Sequence, residues 1–375
     1  MSMSQADISK HLIADWVPSL AMAVGPSFMA WPHYLIGNVD VNGTDYLAIH
    51  EDAGRSDRQW KSVLSWMLGV VGTRQVLEDE GYRWIAPASA FYPDVRHPVD
   101  LSNWHVAYPP TSLVVKGSPT STSQLRPDYI AIRPWHGAVD WAVVEAKGTR
   151  KPLASQTVCP SDWYKQVRNI EVRFNDAIVN VTRYLVVATR VNPNAVQMPT
   201  RRLCLRAWNS TDSQTDAPLQ PSSAAEIARA HLFGFLRNIG KRELARKLTF
   251  NAQIRDEETD DEAIQGQLDT SAPAELKAMV EEEGQLLQEL ESDLFLRTEL
   301  GDVVITIESA TIRFIKGLIR AVTPIELTDA LLTADAERDH WTEEQANTET
   351  PENVVTLPFG VRLTFPPSFQ RSSTT

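Results

Sequence analysis

Long apolar runs, cysteine pairs and nucleotide-binding glycine motifs are all missing from this 375-residue sequence. No apolar run reaches the roughly 20 residues that a membrane-spanning helix needs, so we expect no membrane span. The two cysteines, Cys159 and Cys204, form no CxxC pair, which argues against a disulfide scaffold and a zinc ribbon. Without a P-loop or a GxGxxG sequence, a nucleotide-driven motor is excluded. The N-terminus lacks a basic and apolar leader, so a reducing, cytoplasmic location is expected.

The net charge of −12 is unevenly distributed along the chain. Residues 1–210 carry 21 Lys and Arg against 18 Asp and Glu, a net of +3, whereas residues 211–375 carry 15 against 30, a net of −15. Local patches rather than totals govern attraction to phosphate, so this balance does not exclude a nucleic-acid substrate. We expect the acidic half to face away from such a substrate and to contact a protein partner or a second copy of the chain.

Three units are predicted along the chain. They are an N-terminal extension over 1–55, an α/β domain over 56–209 and an acidic α+β module over 210–375. A polar segment at 209–224 marks the second boundary, because it is rich in Ser, Thr, Asp and Pro.

Hydrophobic periodicity predicts the secondary structure of each unit. In the first 209 residues it predicts a helix near 5–25, a hairpin around Asn42-Gly43, a helix at 57–80 ended by Gly81, a strand at 82–86, a long irregular insertion at 87–124, strands at 128–132 and 141–147, a helix at 161–179, and strands at 183–189 and 201–208. Beyond them it predicts helices at 223–247 and 273–296, strands at 302–308 and 311–319, a short helix near 325–333, and a partly disordered end from about 334.

Charged side chains interrupt two of these apolar strands. Glu145 and Lys147 are two positions apart, so they leave the same face of the sheet. Asp128 begins the preceding strand, where strand pairing can bring it beside Glu145. Two carboxylates suit Mg²⁺, which neutralises charge at a phosphate, and the lysine orients water or stabilises developing charge. Because a buried charge is costly unless it serves a site, the pattern favours metal-dependent phosphodiester hydrolysis.

Pro127-Asp128 followed by Glu145-Ala146-Lys147 resembles the PD-(D/E)xK nuclease superfamily, which has the restriction-endonuclease-like fold. The core of that family runs helix, three strands, helix and strand, with a mixed sheet flanked by helices, and the predicted elements follow this order. The resemblance implies that Asp128, Glu145 and the main-chain carbonyl of Ala146 bind Mg²⁺, for which Mn²⁺ substitutes. It also implies that Lys147 is catalytic.

The resemblance points to further residues outside the motif. Some branches carry a Gln on the helix after the third strand, which implies a catalytic role for Gln166. Many members carry a Glu on the first helix, but Thr73 occupies that position here, and Glu51 and Glu78 are the candidate substitutes. The implied activity is Mg²⁺-dependent endonucleolytic cleavage of DNA, in restriction or defence against foreign DNA.

Two other interpretations stay open at this point. In one, Glu145 and Lys147 form an ordinary ion pair on a surface strand, with Asp128 in a turn. In the other, the fold is nuclease-like but non-catalytic, and serves as a nucleic-acid-binding or assembly subunit of a larger complex. The absence of the first-helix Glu and the acidic C-terminal half keep the second of these open.

Two further features of the sequence are weaker indications of a functional site. Pro93-Asp94 is a second Pro-Asp pair, but it lies in the irregular insertion and far from Glu145. A basic cluster between Arg237 and Lys247 is predicted on one helix. It either contacts a phosphate backbone or pairs with the acidic residues nearby.

Overall fold

The computed structural model describes residues 39–42, 46–49, 58–91, 113–117, 127–135, 138–150, 153, 157–174, 177–179, 181–190, 203–211, 221–245, 247–248, 284–298, 301–321, 326, 328–333 and 353–366. The helix predicted near 5–25 lies outside the described residues, as do Glu51, Pro93 and Asp94.

The described residues form fourteen strands and four main helices. The strands are β1 (Val39–Asn42), β2 (Tyr46–Ile49), β3 (Trp84–Pro87), β4 (Leu113–Gly117), β5 (Tyr129–Trp135), β6 (Ala138–Thr149), β7 (Ile170–Phe174), β8 (Ala177–Ile178), β9 (Arg183–Arg190), β10 (Cys204–Thr211), β11 (Leu294–Thr298), β12 (Gly301–Ile307), β13 (Val354–Leu357) and β14 (Val361–Thr364). The helices are α1 (Arg58–Asp79), α2 (Ser161–Arg168), α3 (Pro221–Asn238) and α4 (Ser309–Arg320), with shorter helical segments at 242–245, 284–291 and 328–333. Among the described helices, none combines the length and the apolar character that crossing a lipid bilayer requires.

Five strands form a mixed sheet in the order β10-β9-β6-β5-β3. Strands β6 and β9 are parallel, and the other neighbours are antiparallel. The chain between β6 and β9 includes α2, β7 and β8. Helix α1 packs against β6 and β9, whereas α3 packs against β3. The prediction of an α/β fold with a mixed sheet flanked by helices is therefore confirmed.

The two faces of β6 pack against different helices. Val144 belongs to a buried cluster that includes Leu77 of α1. Val143 belongs to another buried cluster, which includes Val167 of α2 and much of α3. Because side chains alternate along a strand, the even-numbered residues of β6 face α1 and the odd-numbered ones face α2 and α3.

A second sheet, antiparallel and in the order β11-β12-β14-β13, lies in the C-terminal half. Its buried side chains belong to the same cluster as the odd-numbered face of β6. The ring of Phe314 in α4, for example, lies 5.0 Å from the ring of Trp84 in β3. The division into 1–55, 56–209 and 210–375 stays a prediction, and the parts on either side of its second boundary share this core.

Most of the elements predicted for the first half are confirmed within a few residues. The helix expected at 57–80 is α1, and Gly81 follows it with a φ of 83°, the left-handed conformation that ends many helices. The expected hairpin is the antiparallel pair β1 and β2. The strands predicted at 128–132, 141–147, 183–189 and 201–208 are β5, β6, β9 and β10.

The helix predicted over 161–179 is wrong beyond Arg168. The next residues form β7, which pairs with β4 in a small sheet of order β4-β7-β8. Apolar Ile170 and Val172 alternate with Glu171, which is the period of a strand. This local alternation and the pairing with β4 outweigh the helical spacing that links Ile170 to the residues of α2.

The C-terminal half differs most from the prediction. The segment 311–319 was expected as a strand because it is rich in β-branched residues, but it lies in α4, where the apolar residues line one helical face. Part of the predicted 273–296 helix is instead β11, and the end beyond 334 contains the pair β13 and β14. Helix α3 ends at Asn238, and Gly240 has a φ of 82°, so the basic cluster does not lie on one helix.

Two glycines allow α1 and β6 to approach closely. A Cβ atom on Gly69 would lie 2.6 Å from the backbone nitrogen of Gly148. A Cβ atom on Gly148 would lie 1.8 Å from the carbonyl oxygen of Ser65. Both neighbours are backbone atoms, so no side-chain rotation relieves the overlap. Gly69 therefore fixes the distance between α1 and the strand that carries Glu145 and Lys147.

We expect Gly69→Ala to lower the free energy of unfolding by about 1–3 kcal/mol, because the added methyl group overpacks the contact between α1 and β6. Gly234→Ala is the matched control, since Gly234 also lies inside a helix but has no neighbouring atom within 4 Å of the new Cβ. This control should be stabilised by about 0.5–1 kcal/mol. Urea unfolding measures both values, and an equal gain in stability for the two variants would contradict the close contact.

Candidate active site

Strand pairing brings Asp128 beside Glu145. Tyr129 of β5 lies opposite Val144 of β6 in the antiparallel register. The backbone N–H of Asp128, one position earlier, donates to the Val144 carbonyl oxygen at 3.0 Å. Asp128 therefore extends the ladder and lies level with Glu145, the residue that follows Val144.

The Asp128 side chain is held by the backbone of β6. The N–H of Ala146 donates to Asp128 Oδ2 at 2.8 Å. Asp128 is exposed, whereas Glu145 is only 1% exposed. The site thus consists of one carboxylate at the surface and one beneath it, on neighbouring strands.

Glu145 has one paired and one unpaired carboxylate oxygen. Oε1 forms an ion pair with Lys147 Nζ, on the same face of β6. Oε2 is buried and accepts no hydrogen bond from a donor among the described residues, while the Asp128 carboxyl lies within hydrogen-bonding reach of the Glu145 carboxyl group. The Lys147 side chain is 24% exposed, so its ammonium lies at the boundary between the buried carboxylate and solvent. The ion pair expected in the first open interpretation is present, but its glutamate is buried rather than on the surface.

Burial raises the pKa of Glu145 to about 8. The neighbouring Asp128 carboxylate raises this pKa further, while the Lys147 ammonium lowers it. The carboxylates of Asp128 and Glu145 therefore repel each other when both are charged. A cation or a proton placed between them removes the repulsion.

The donor set fits a hard divalent cation. Asp128 and Glu145 supply carboxylate oxygens, and the buried unpaired Oε2 is the kind of atom that a metal ion satisfies. The described residues contain no group of three or more His, Cys, Asp and Glu side chains placed to hold a metal. The cation would therefore depend on two carboxylates, the carbonyl of Ala146 and water, which suits Mg²⁺ because it keeps several waters.

The other predicted residues are less closely placed. Gln166 lies on α2, the helix that packs against β6 and β9, and its side chain is partly buried. No hydrogen bond joins it to Asp128, Glu145 or Lys147 among the contacts that the structure describes. Its predicted catalytic role stays a prediction.

The first helix does not bring a third carboxylate to this pair. Thr73 is fully buried and its hydroxyl donates to the Gly69 carbonyl at 2.8 Å, within α1 itself. Glu78 follows Gly69 by nine positions, which places it about 13 Å further along the helix. Since α1 covers the even-numbered face of β6, neither residue lies on the face of the Glu145 side chain.

One contact was not anticipated from the sequence. Only the carbonyl of Ala146 was assigned a role, yet its N–H anchors Asp128. The predicted pairing of the two strands could have indicated this contact. An aspartate just before an antiparallel strand lies next to the backbone of the neighbouring strand.

Comparison with known proteins finds no relative of this chain. No protein-family model, curated protein or solved structure matches it. The interpretation of the site therefore rests on its own residues and their geometry.

The raised pKa of Glu145 gives its carboxyl group a measurable effect on stability. In the unfolded chain the group loses its proton near pH 4.5, but in the folded protein it does so near pH 8. Between these values the folded state holds a proton that the unfolded state has lost, so the free energy of unfolding falls as pH rises.

We expect Glu145→Gln, which cannot ionise, to gain stability relative to the wild type between about pH 5 and about pH 8, by a few kcal/mol in order of magnitude. Urea unfolding in EDTA measures the difference. Glu171→Gln is the control. A hydrogen bond from Arg173 lowers the pKa of Glu171, so Glu171 stays charged over this range and the effect of the control variant on the free energy of unfolding does not change with pH. A constant difference between Glu145→Gln and the wild type would show that Glu145 is already charged at about pH 5.

Proposed function

We propose that this protein is a metal-dependent nuclease that hydrolyses DNA phosphodiester bonds, with Asp128, Glu145 and Lys147 at its active site. The observation that carries the proposal is the buried, unpaired Oε2 of Glu145 beside Asp128. Such an atom costs free energy unless it serves a ligand or a reaction. The order α1, β3, β5, β6, α2, β9, with β4 inserted after β3 and β7 and β8 inserted after α2, is compatible with the helix, three strands, helix and strand of a restriction-endonuclease-like core.

Asp128 and Glu145 would bind Mg²⁺ or Mn²⁺, together with the main-chain carbonyl of Ala146. When bound, such an ion stabilises the charge that develops on the phosphate and makes water a better nucleophile. The Ala146 N–H keeps the Asp128 carboxylate in place. Since Glu145 must lose its proton to bind a cation, its raised pKa makes cation binding dependent on pH.

Lys147 supplies a positive charge between Glu145 and solvent. From this position its ammonium orients the attacking water or stabilises charge on the phosphate. In the reaction, the water oxygen forms a bond to phosphorus as the bond to the leaving oxygen breaks. The leaving oxygen takes up one proton, so that one water molecule is consumed for each bond cleaved.

The biological setting belongs to the same proposal. Endonuclease action in restriction or in defence against foreign DNA is what the resemblance to the PD-(D/E)xK superfamily implies. The acidic C-terminal half, with a net charge of −15 over residues 211–375, would contact a protein partner or a second copy, because such a surface repels a phosphate backbone.

A non-catalytic role is the second candidate, and one observation favours it. Thr73, at the position where many members of the PD-(D/E)xK superfamily carry a glutamate, is buried and bonded within α1. A fold of this kind without that carboxylate would bind nucleic acid or assemble with a partner without cleaving. Cleavage assays separate the two candidates.

We expect Asp128→Asn and Glu145→Gln each to weaken Mn²⁺ binding by at least about tenfold, because each removes a charged oxygen ligand and keeps its shape. Calorimetric titration at about pH 8 is the measurement, since protons then compete least with the metal. Asp302→Asn is the control, because Asp302 is an exposed carboxylate on β12. Unchanged affinity in both site variants would mean that these residues do not bind the metal.

We expect Lys147→Ala to fold normally and to lose about 10²–10⁴-fold in the rate of DNA cleavage with Mg²⁺. Lys165→Ala, an exposed lysine on α2 that pairs with Asp162, should cleave at the wild-type rate. A Lys147→Ala protein that cleaves as fast as the wild type would remove Lys147 from the mechanism. If the wild type cleaves neither DNA nor RNA with Mg²⁺ or Mn²⁺, the non-catalytic role is favoured.

A further inference from the structure

Helix α4 separates an apolar face from a basic one. Its buried residues are Thr311, Ile312, Phe314, Ile315, Leu318 and Ile319. Arg313, Lys316 and Arg320 are exposed and follow one another at spacings of three and four residues. This spacing places the three cations along one side of the helix, over a length of about 10 Å.

These three cations line a groove between α4 and the helical segment 284–291. The groove has a volume of about 480 Å³ and lies far along the chain from the carboxylates of the candidate active site. Leu287 and Ile312 close the bottom of the groove and are buried, so the side chains that a ligand would meet are the polar and charged ones. The groove is within the range of sizes of small-molecule sites, which runs from about 300 to about 1,000 Å³.

The charge of the groove is opposite to that of its surroundings. Among the described residues that line the groove, three side chains are cationic and one, that of Glu291, is a carboxylate. Residues 211–375 have a net charge of −15 and contain only 15 Lys and Arg in 165 positions. The convergence of Arg313, Lys316 and Arg320 therefore does not follow from the composition of this half.

The chemistry of these groups selects the ligand. A guanidinium presents planar paired donors that match the oxygens of a phosphate, and a lysine adds a point charge. The 10 Å row of cations has about the length of four successive phosphates of one strand, whose three intervals measure about 3.4 Å each along a duplex axis.

We propose that the groove between α4 and residues 284–291 binds the phosphate groups of a nucleotide or of a nucleic-acid strand. This site is separate from the Asp128–Glu145 pair and requires no metal. It gives an otherwise acidic half of the chain a local contact for the same class of ligand that the proposed nuclease site would cleave.

The test is binding in EDTA of a fluorescently labelled single-stranded oligodeoxynucleotide of about 12 nucleotides, followed by anisotropy. We expect Arg313→Gln/Lys316→Gln to weaken binding by about tenfold. The slope of the logarithm of the binding constant against the logarithm of the salt concentration should become shallower by about 1.4, because each lost phosphate contact on a single strand accounts for about 0.7. Arg58→Gln/Lys61→Gln is the matched control. It removes the same charge at the same spacing from α1, and it should bind as the wild type does.

Competition with unlabelled dAMP identifies the source of the phosphate. Displacement by dAMP would identify a nucleotide site, whereas displacement by oligonucleotides alone would identify a strand-binding site, and both outcomes support the proposal. The single variant Lys316→Gln, at an exposed position, gives the same readout if the double variant does not fold.

Three results would overturn the proposal. They are wild-type affinity in Arg313→Gln/Lys316→Gln, an equal loss in the control, and no binding of either probe to the wild-type protein. Because EDTA is present, none of these results depends on cleavage. A protein that binds the oligonucleotide through α4 but never cleaves DNA would contradict the proposed nuclease function and leave the groove in place.

Discussion

Backbone pairing between β5 and β6 decides where every polar group of the candidate site lies. Tyr129 opposite Val144 sets the register, and the Asp128 N–H extends it by one hydrogen bond to the Val144 carbonyl. A shift of one residue would turn the Glu145 side chain toward α1 and separate it from Asp128. The close approach of Gly69 to Gly148 holds β6 against α1. The site therefore depends on backbone contacts more than on the side chains around it.

The buried carboxyl group of Glu145 lowers the free energy of unfolding when it is charged. A carboxyl group that is 1% exposed, next to a second carboxylate, is stable in its charged form only with a cation nearby. Lys147 supplies one cation and pairs with one oxygen, while the other oxygen has no described partner. A packed apolar residue at this position would avoid the cost. The presence of a buried ionisable residue here is the physical reason to regard the strand as a site rather than as part of the core.

The sequence predicted those features that depend on local pattern or on neighbouring strands. Apolar spacing predicted α1, and the short separation of Asp128 from Glu145 along the chain predicted their approach, because consecutive antiparallel strands pair directly. The features that depend on distant pairing were missed. Residues from Ile170 onward form β7 because β4, more than fifty positions earlier, pairs with them. Whether the Asp128–Glu145 pair acts in catalysis is a matter of chemistry, which strand patterns do not decide.

Helix α4 shows a second reason for failure. Its many β-branched residues favour a strand, but its apolar residues recur with the period of a helix and pack against Trp84 of the central sheet. Expecting a strand at 311–319 also concealed the row of cations, since Arg313, Lys316 and Arg320 share one side only in a helix. The groove beside them is formed by α4 together with the helical segment 284–291.

Anomalous X-ray scattering from crystals of the full chain grown with Mn²⁺ tests the central claim most directly. The account predicts one strong peak between the carboxylates of Asp128 and Glu145, at about 2.0–2.5 Å from an oxygen of each and close to the Ala146 carbonyl. A map without a peak at this position, with Glu145 bonded only to Lys147, would contradict the assignment of a metal-dependent active site.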